Sequence, residues 1–207
     1  MPLTYAHPAA AIPLRRLFSK NIPVLSALVI GSVMPDVPYF LPLLPERAYS
    51  HSLEGLFGFC LPGGILAYVV FLVILKPPLL ALLPVAISAR LDSAAGDLPR
   101  MTLGYFIQIA FALLAGAITH LLWDAFTHED APFVRAWPLL SLILTNIGGY
   151  QVTIYKVLQH GSTFSGLAVL AYWLQRWYRQ TEICVERLNQ SLPFGFKRLL
   201  WLGLFLI

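Results

Sequence analysis

A long apolar run that begins near Leu103 ends in Thr119-His120-Leu121-Leu122-Trp123-Asp124-Ala125-Phe126-Thr127-His128-Glu129-Asp130. Its ligand-type residues His120, Asp124 and His128 stand four apart, and such residues stack on one helix face with Cβ atoms about 6 Å apart. Neighbours on this face can share one metal ion, or one carboxylate can bridge two; His128, two turns from His120, belongs to a second centre or to the helix end. Imidazole and carboxylate ligands suit zinc and similar divalent ions. The alternative is that these residues only end the helix and hydrogen-bond to one another.

The composition indicates a membrane protein. The chain has 207 residues, enough for one domain, and 58% of them are hydrophobic while 12% are charged. A soluble domain carries about 25% charged residues, and the mean hydropathy here is +0.72. The net charge is +4, and the basic residues stand at segment ends, as loops near anionic lipid head groups require. They form no dense basic stripe, so we expect no nucleic-acid partner.

The apolar segments predict an all-α, multi-pass transmembrane helical bundle that forms a single membrane-embedded helical domain over residues 1–207. The clearest spans are Leu56 to Leu75 and Leu103 to Phe126, each long enough at about 1.5 Å per residue for a bilayer core of about 30 Å. Further segments are a helix over Pro23 to Met34, a helix over Leu79 to Leu91 after a break at Lys76-Pro77-Pro78, an interrupted or re-entrant element over Leu139 to Ile147, a helix over Phe164 to Trp177 and a final helix over Phe196 to Ile207.

Every histidine in the chain lies at or near the end of a predicted helix. Ionisable groups beside apolar spans are costly and usually mark function. If the helix ends meet at one level, they bring together His7, Asp36, His51, His120, Asp124, His128 and His160. Such a set is large enough for two metal centres, each with an open position for water, whose pKa a metal lowers towards neutrality. The sequence thus predicts a metal-dependent hydrolase at the membrane interface, with Asp36 or Asp124 as the catalytic carboxylate that takes a proton.

Several runs of the chain also resemble a known family. These runs are Thr4-Tyr5-Ala6-His7-Pro8-Ala9-Ala10, Gly31-Ser32-Val33-Met34-Pro35-Asp36-Val37-Pro38-Tyr39-Phe40, His51-Ser52-Leu53, His120-Leu121-Leu122-Trp123-Asp124-Ala125-Phe126-Thr127-His128 and Gln159-His160-Gly161-Ser162. Together they cover nearly the whole chain and resemble a bacterial family of small multi-pass membrane proteins of unknown function. That family is distantly similar to inner-membrane metal-dependent hydrolases and to zinc-dependent phospholipase C, in which a helical fold holds three zinc ions and cleaves phosphodiesters.

The resemblance implies a ligand for each position that matches the phospholipase C pattern. His7 matches the N-terminal histidine ligand. Asp36 and His51 match an aspartate and a histidine on a central zinc. His120 and Asp124 match a helix with the pattern HxxxD, whose aspartate bridges two metals.

The remaining matches are less complete. His128 matches a ligand of another zinc, and His160 matches the last histidine, but Phe164 stands where phospholipase C has a glutamate, and the chain begins Met1-Pro2 where the secreted enzymes have a tryptophan ligand. The resemblance therefore implies one or two zinc ions, or another divalent metal, rather than three. It supports metal binding and hydrolysis more than any one substrate. We expect a location in the inner (plasma) membrane, and phosphoester bonds of lipid-like molecules are a candidate substrate.

Two other functions remain open from the sequence. The first is a non-catalytic polytopic membrane protein that uses the same residues as a structural metal site or a hydrogen-bonded His/Asp clasp. The second is a transporter, which requires ionisable groups at mid-span and a repeat relation between the halves. The polar groups here cluster at helix ends and no repeat is evident, which favours the first of the two. The sequence indicates no oligomeric state.

Overall fold

The computed structural model of the chain describes residues 3–18, 24–41, 45–95 and 102–183. Its regular elements are α1 (Pro8–Ala11), α2 (Val24–Val33), α3 (Arg47–Ser50), α4 (Leu53–Gly55), α5 (Leu61–Val70), α6 (Lys76–Leu82), α7 (Val85–Ala95), α8 (Leu103–Thr127), α9 (Pro132–Ala136), β1 (Ile143–Ile147), β2 (Tyr150–Thr153) and α10 (Ile154–Gln180). Short 3-10 turns cover Thr4–Ala6, Ile12–Leu17, Met34–Tyr39 and Pro138–Ser141. The protein is thus mostly helical, as predicted. The predicted final helix, Phe196 to Ile207, lies outside the described residues.

The centre of the molecule is the contact between α2 and α8. Both helices are apolar, and they bury Leu28 and Leu113 almost completely. Glycines on both sides let the backbones approach: a Cβ added at Gly31 would overlap the Leu113 carbonyl, and one added at Gly116 would overlap the Leu28 carbonyl. This close approach sets the position of the second half of α8, which carries the ligand-type residues.

The second long apolar helix runs without a break over Leu53–Leu82. The Ser52 hydroxyl caps its start by accepting from the Gly55 amide at 2.9 Å. The predicted break at Lys76-Pro77-Pro78 is wrong, because the helix continues through it as α6. A π-helical turn over Phe71–Leu75 precedes these prolines. The prolines therefore lie in the first turn of the α-helical segment that follows, where a missing N–H group removes few backbone hydrogen bonds.

A β-hairpin occupies the place where an interrupted or re-entrant element was expected. β1 and β2 pair antiparallel, with Ile147 opposite Tyr150. Gly148 and Gly149 connect them with φ of 59° and 87°, the backbone that a tight two-residue hairpin turn requires. The all-α prediction is therefore corrected to a helical fold with one two-stranded hairpin, and α10 begins at Ile154 instead of Phe164.

Two stretches of the described residues are long and apolar enough to cross a bilayer. They are Leu53–Leu82 and Leu103–Ala136, with 17% and 33% of their most apolar windows buried inside the protein. Most apolar side chains of the first stretch, such as Leu66 and Val73, face outwards, as they do on a lipid-facing helix. These helices support membrane association, whereas the multi-pass bundle and the inner-membrane location stay predictions.

Candidate metal centre

A buried group of four ligand-type residues lies beside the second half of α8. His120 and Asp124 stand one helical turn apart on α8, Asp36 lies in the 3-10 turn that follows α2, and His51 ends α3. Asp36, His120 and Asp124 are 1%, 0% and 6% exposed. One nitrogen or oxygen atom from each of the four residues lies within 4.8 Å of the others. This group can bind a metal ion.

The distances within the group agree with tetrahedral coordination. His51 Nε2 lies 3.4 Å from Asp36 Oδ1 and 3.4 Å from Asp124 Oδ2. His120 Nε2 lies 3.5 Å from each of the same two oxygens. Atoms about 2.0–2.2 Å from one zinc ion at the corners of a tetrahedron are about 3.3–3.6 Å apart. The four atoms are therefore spaced as ligands of a single ion.

Hydrogen bonds to the backbone fix the orientation of both imidazoles. His120 Nδ1 lies 2.8 Å from the Ser32 carbonyl oxygen, and His51 Nδ1 lies 3.1 Å from the Arg47 carbonyl oxygen. A carbonyl oxygen only accepts, so Nδ1–H is the donor in both pairs. The lone pair of each neutral ring is then on Nε2, which faces the two carboxylates. Metal-binding histidines are usually oriented in this way.

The polar atoms at the centre lack ordinary partners. The buried atoms without a hydrogen bond, among the residues that the structure describes, include Nε2 of His7, His51, His120 and His128 and Oδ1 of Asp36 and Asp124. A buried polar group left unpaired costs about 1–3 kcal/mol, and the great majority of such groups in proteins are paired. A bound cation would satisfy several of these atoms at once, so the residues fit a metal ion.

His7 and His128 contact the other oxygen of Asp124. His7 Nε2 lies 3.7 Å and His128 Nδ1 lies 3.6 Å from Asp124 Oδ1. The His7 ring also stacks on His120, with centroids 3.7 Å apart and planes 16° from parallel. His160, in contrast, is exposed on α10 and lies outside the group of four. It is in the second turn of α10 because that helix begins earlier than predicted.

Two residues at the site were missed by the sequence reasoning. The Thr4 hydroxyl donates to Asp36 Oδ2 at 2.6 Å, which leaves Oδ1 of Asp36 for the centre. Arg47 Nη2 lies 3.3 Å from Asp124 Oδ2. A weak signal existed for Arg47, because it stands four residues before His51 and thus on the same helical face. Nothing local in the sequence pairs Thr4 with Asp36, 32 positions away.

Outside the long apolar helices, burial and the neighbouring charges shift the pKa values of Asp36, His7 and His51 in different directions. Burial alone raises the pKa of the Asp36 carboxyl, but the imidazoles of His120 and His51 at 3.5 and 3.4 Å and the hydroxyl of Thr4 outweigh burial and hold the pKa well below its usual range. Burial, together with the positive charge of His120, lowers the pKa of His7 from 6.5 to about 4. Asp36 is therefore ionised and His7 neutral at pH 7. For His51, burial lowers the pKa, but hydrogen bonding to the carboxylates outweighs burial and raises the pKa above 6.5.

A cavity of about 240 Å³ adjoins the site on the side of His7. It lies between the first turns of the chain, α8 and α10. Its lining is His7 together with mainly small or apolar residues: Ala6, Ala9, Ala10, Trp123, Ser162, Ser165, Gly166 and Val169. The buried His7 ring thus stands between this cavity and Asp124.

The sequence model of the DUF4184 family, described as a domain of unknown function, matches residues 1–206. The chain belongs to this family. No curated protein and no solved structure matches the chain. Membership of a family of unknown function is confirmed, while the distant similarity to hydrolases and phospholipase C stays a prediction. For this DUF4184 protein, the geometry of the His/Asp group is what indicates a function.

Proposed function

We propose that this protein is a membrane-associated, metal-dependent hydrolase that holds a zinc ion between Asp36, His51, His120 and Asp124. The observation that carries the proposal is the spacing of their four ligand atoms, with imidazole-to-carboxylate distances of 3.4–3.5 Å. These distances occur in a buried group whose nitrogens lack hydrogen-bond partners among the described residues. A clasp without metal would need both imidazoles protonated to pair with these carboxylates, whereas a metal ion binds the neutral rings.

The chemistry of the ligands favours zinc over other common ions. Two imidazoles and two carboxylates suit zinc and similar transition metals, whereas calcium and magnesium prefer oxygen ligands alone. His7 and His128, which lie beside Asp124 Oδ1, are the residues that would help to hold a second ion if one binds.

Zinc bound at this centre would supply Lewis-acid catalysis of hydrolysis. The protein supplies the orientation and the proton acceptor. Asp36 is the less available acceptor, because its Oδ2 already accepts from the Thr4 hydroxyl. Asp124 Oδ1 has no hydrogen bond among the described residues and faces His7 Nε2 at 3.7 Å. We therefore assign the proton from the attacking water to Asp124, and a ligand role to Asp36.

The surroundings of the site favour a substrate with an apolar portion. The cavity beside His7 is lined mainly by small and apolar side chains, and α8, which carries two of the ligands, lies in one of the two stretches able to cross a bilayer. A phosphoester in a lipid-like molecule would place its reacting group at the metal and its apolar part towards the bilayer. The bilayer and such a substrate are the proposed partners.

One observation favours a second candidate, a structural metal site without catalysis. Four protein ligands complete a tetrahedral zinc site, and closed sites of this kind are usually structural, whereas catalytic sites keep a position open. In that case the metal would clamp the 3-10 turn after α2, the end of α3 and α8 together. The two functions share the metal and differ only in activity.

The first test is the metal content of the full-length protein purified in detergent, measured by elemental analysis. We expect about one or two zinc ions per chain in the wild type and loss of the zinc in Asp124→Asn. The matched control is Asp130→Asn, which changes an exposed carboxylate that pairs with Arg135 at 2.8 Å and should keep its zinc. A wild type without bound metal, also after zinc is added and the excess removed, would overturn the proposal.

The second test separates hydrolysis from a structural role. Zinc-loaded wild type is assayed with a nitrophenyl phosphodiester and with short-chain phospholipids in mixed micelles. Hydrolysis that disappears in zinc-depleted protein and in Asp124→Asn, but not in Asp130→Asn, would support the hydrolase. Full zinc occupancy without hydrolysis of any of these substrates would favour the structural site.

A further inference from the structure

The charges around the centre do not balance once a divalent ion is added. The two carboxylates of Asp36 and Asp124 neutralise one divalent cation when the histidines are neutral. The guanidinium of Arg47 lies 3.3 Å from Asp124 Oδ2 and adds one further positive charge. An excess charge in a partly buried site is costly unless a counter-charge is close. The metal-loaded site would therefore attract an anion.

Arg47 is also the part of the site that solvent reaches most easily. Its side chain is 38% exposed, while those of Asp36 and His120 are 2% and 0% exposed and that of His51 is 12% exposed. A soluble or membrane-surface ligand that approaches the metal from this side would meet the guanidinium first. The ring of Tyr39 lies beneath it, with Cζ 5.9 Å from the ring centroid, which limits the directions in which the side chain can turn.

Some N–H groups of the Arg47 guanidinium have no hydrogen-bond partner among the described residues. Its Nη2 points to Asp124, whereas its Nε is buried and has no hydrogen-bond partner among the described residues. A guanidinium has five N–H donors in a planar fork that matches two oxygens of a phosphate. Contacts of this kind to phosphate are stronger than neutral hydrogen bonds. Arg47 thus has donors left for a ligand bound beside Asp124.

We propose that Arg47 is an anion-binding residue of the metal centre and that it selects a phosphate group. This inference rests on the proposed metal binding and narrows the substrate class to phosphate esters or free phosphate. Arg47 would hold two non-bridging phosphate oxygens while a further oxygen faces the metal. Its contact with Asp124 keeps the guanidinium in place in the absence of the ligand.

The test measures binding of inorganic phosphate to full-length protein in detergent that is loaded with zinc and freed of excess zinc. Isothermal titration calorimetry compares the wild type, Arg47→Gln and the matched control Arg135→Gln, whose guanidinium is exposed and pairs with Asp130. Loss of a charge-assisted hydrogen bond should weaken phosphate binding about 10- to 100-fold in Arg47→Gln. Arg135→Gln should bind as the wild type does, and zinc-free wild type should bind phosphate at least about tenfold more weakly.

A second arm identifies the source of the phosphate. Short-chain phosphatidic acid in micelles, compared with the same concentration of neutral diacylglycerol, reports a lipid head group. Tighter binding of phosphatidic acid than of inorganic phosphate would support a lipid phosphate, and equal binding would support phosphate recognition alone. Binding of diacylglycerol as tightly as phosphatidic acid would contradict phosphate selection.

Zinc content is measured on every variant, so that the two proposals fail in different ways. A wild type without zinc overturns the proposed function itself. Zinc-loaded wild type that binds no phosphate, or an Arg47→Gln protein that binds phosphate as tightly as the wild type, overturns only the role of Arg47. Loss of zinc from both Arg47→Gln and Arg47→Lys would also overturn it, because Arg47 would then hold the ligands in place instead of binding the anion.

Discussion

His120 reaches from α8 to α2, where its Nδ1–H donates to the backbone carbonyl of Ser32 at 2.8 Å. This bond crosses the close contact between α2 and α8 and turns Nε2 of the same ring towards Asp36 and Asp124. Helix packing and metal-site geometry are therefore linked. A change that moves the two helices apart should also affect the site.

Gly116→Ala tests this link. A Cβ at this position would overlap the Leu28 carbonyl oxygen and lie 2.7 Å from the Ser32 amide nitrogen. Because both neighbours are backbone, α2 and α8 must separate, which should destabilise the protein by about 1–3 kcal/mol. We expect a lower thermal unfolding temperature in detergent and weaker zinc binding. Gly161→Ala is the control, since a Cβ there meets nothing within 4 Å; a Gly116→Ala protein as stable as this control would contradict the link.

Thr4→Val tests the support of Asp36. The substitution keeps the shape of the side chain but removes the hydroxyl that donates to Asp36 Oδ2 at 2.6 Å. Loss of a partner behind a metal ligand typically lowers metal affinity about 10- to 100-fold, and we expect such a loss in a zinc competition assay with a chelator. In the control Thr119→Val the lost hydroxyl donates only to the Gly116 carbonyl of its own helix, so the zinc affinity should not change. Equal affinities of the two variants would speak against a role for Thr4.

Zinc binding should depend on pH. In the metal-free protein the carboxylates of Asp124 and Asp36, which outweigh burial, raise the pKa of His51 above 6.5. Below that raised pKa, zinc must displace a proton from His51, so affinity should fall as the pH falls, by about tenfold per pH unit for one proton. Above it, the contribution of His51 to this dependence should level off. Chelator competition between pH 5.5 and 8.5, corrected with the chelator alone, measures the slope; a flat profile would exclude protonation of a ligand.

Membrane association can be tested on the helix Leu53–Leu82. Leu66 lies near its middle and is 65% exposed. If this face contacts lipid, Leu66→Arg should oppose insertion by about 2.5–3.5 kcal/mol. Leu79→Arg, near the end of the same helix, should have a smaller effect because a long basic side chain reaches the interface from there. The fraction of full-length protein that resists alkaline carbonate extraction measures the difference, and equal extraction of both variants would argue against a spanning helix.

Residue types and their spacing were enough to predict a mostly helical protein and a group of histidines and aspartates able to bind a metal ion. Apolar runs of about 20 residues in a chain with few charges form helices, because the backbone must satisfy its own hydrogen bonds in an apolar environment. The spacing of His120 and Asp124 placed them on one face of α8, since the helical period is fixed by the backbone. The local pattern gave a wrong prediction where two backbone conformations have similar free energies. The helix continues through the prolines after Leu75, and the two glycines after Ile147 form a hairpin turn.

Which of these residues lie in contact depends on how the folded chain packs. Asp36, His51 and Asp124 are far apart in the chain, and their distances depend on how closely α2 approaches α8 and on where the short turns of residues 34–51 pack. The same packing brought Arg47 to Asp124, while the early start of α10 left His160 at the surface. Side-chain type and helical period are local properties that a sequence displays directly. The distance between two ligand atoms on different helices depends on many packing contacts, so it is fixed only in the folded protein.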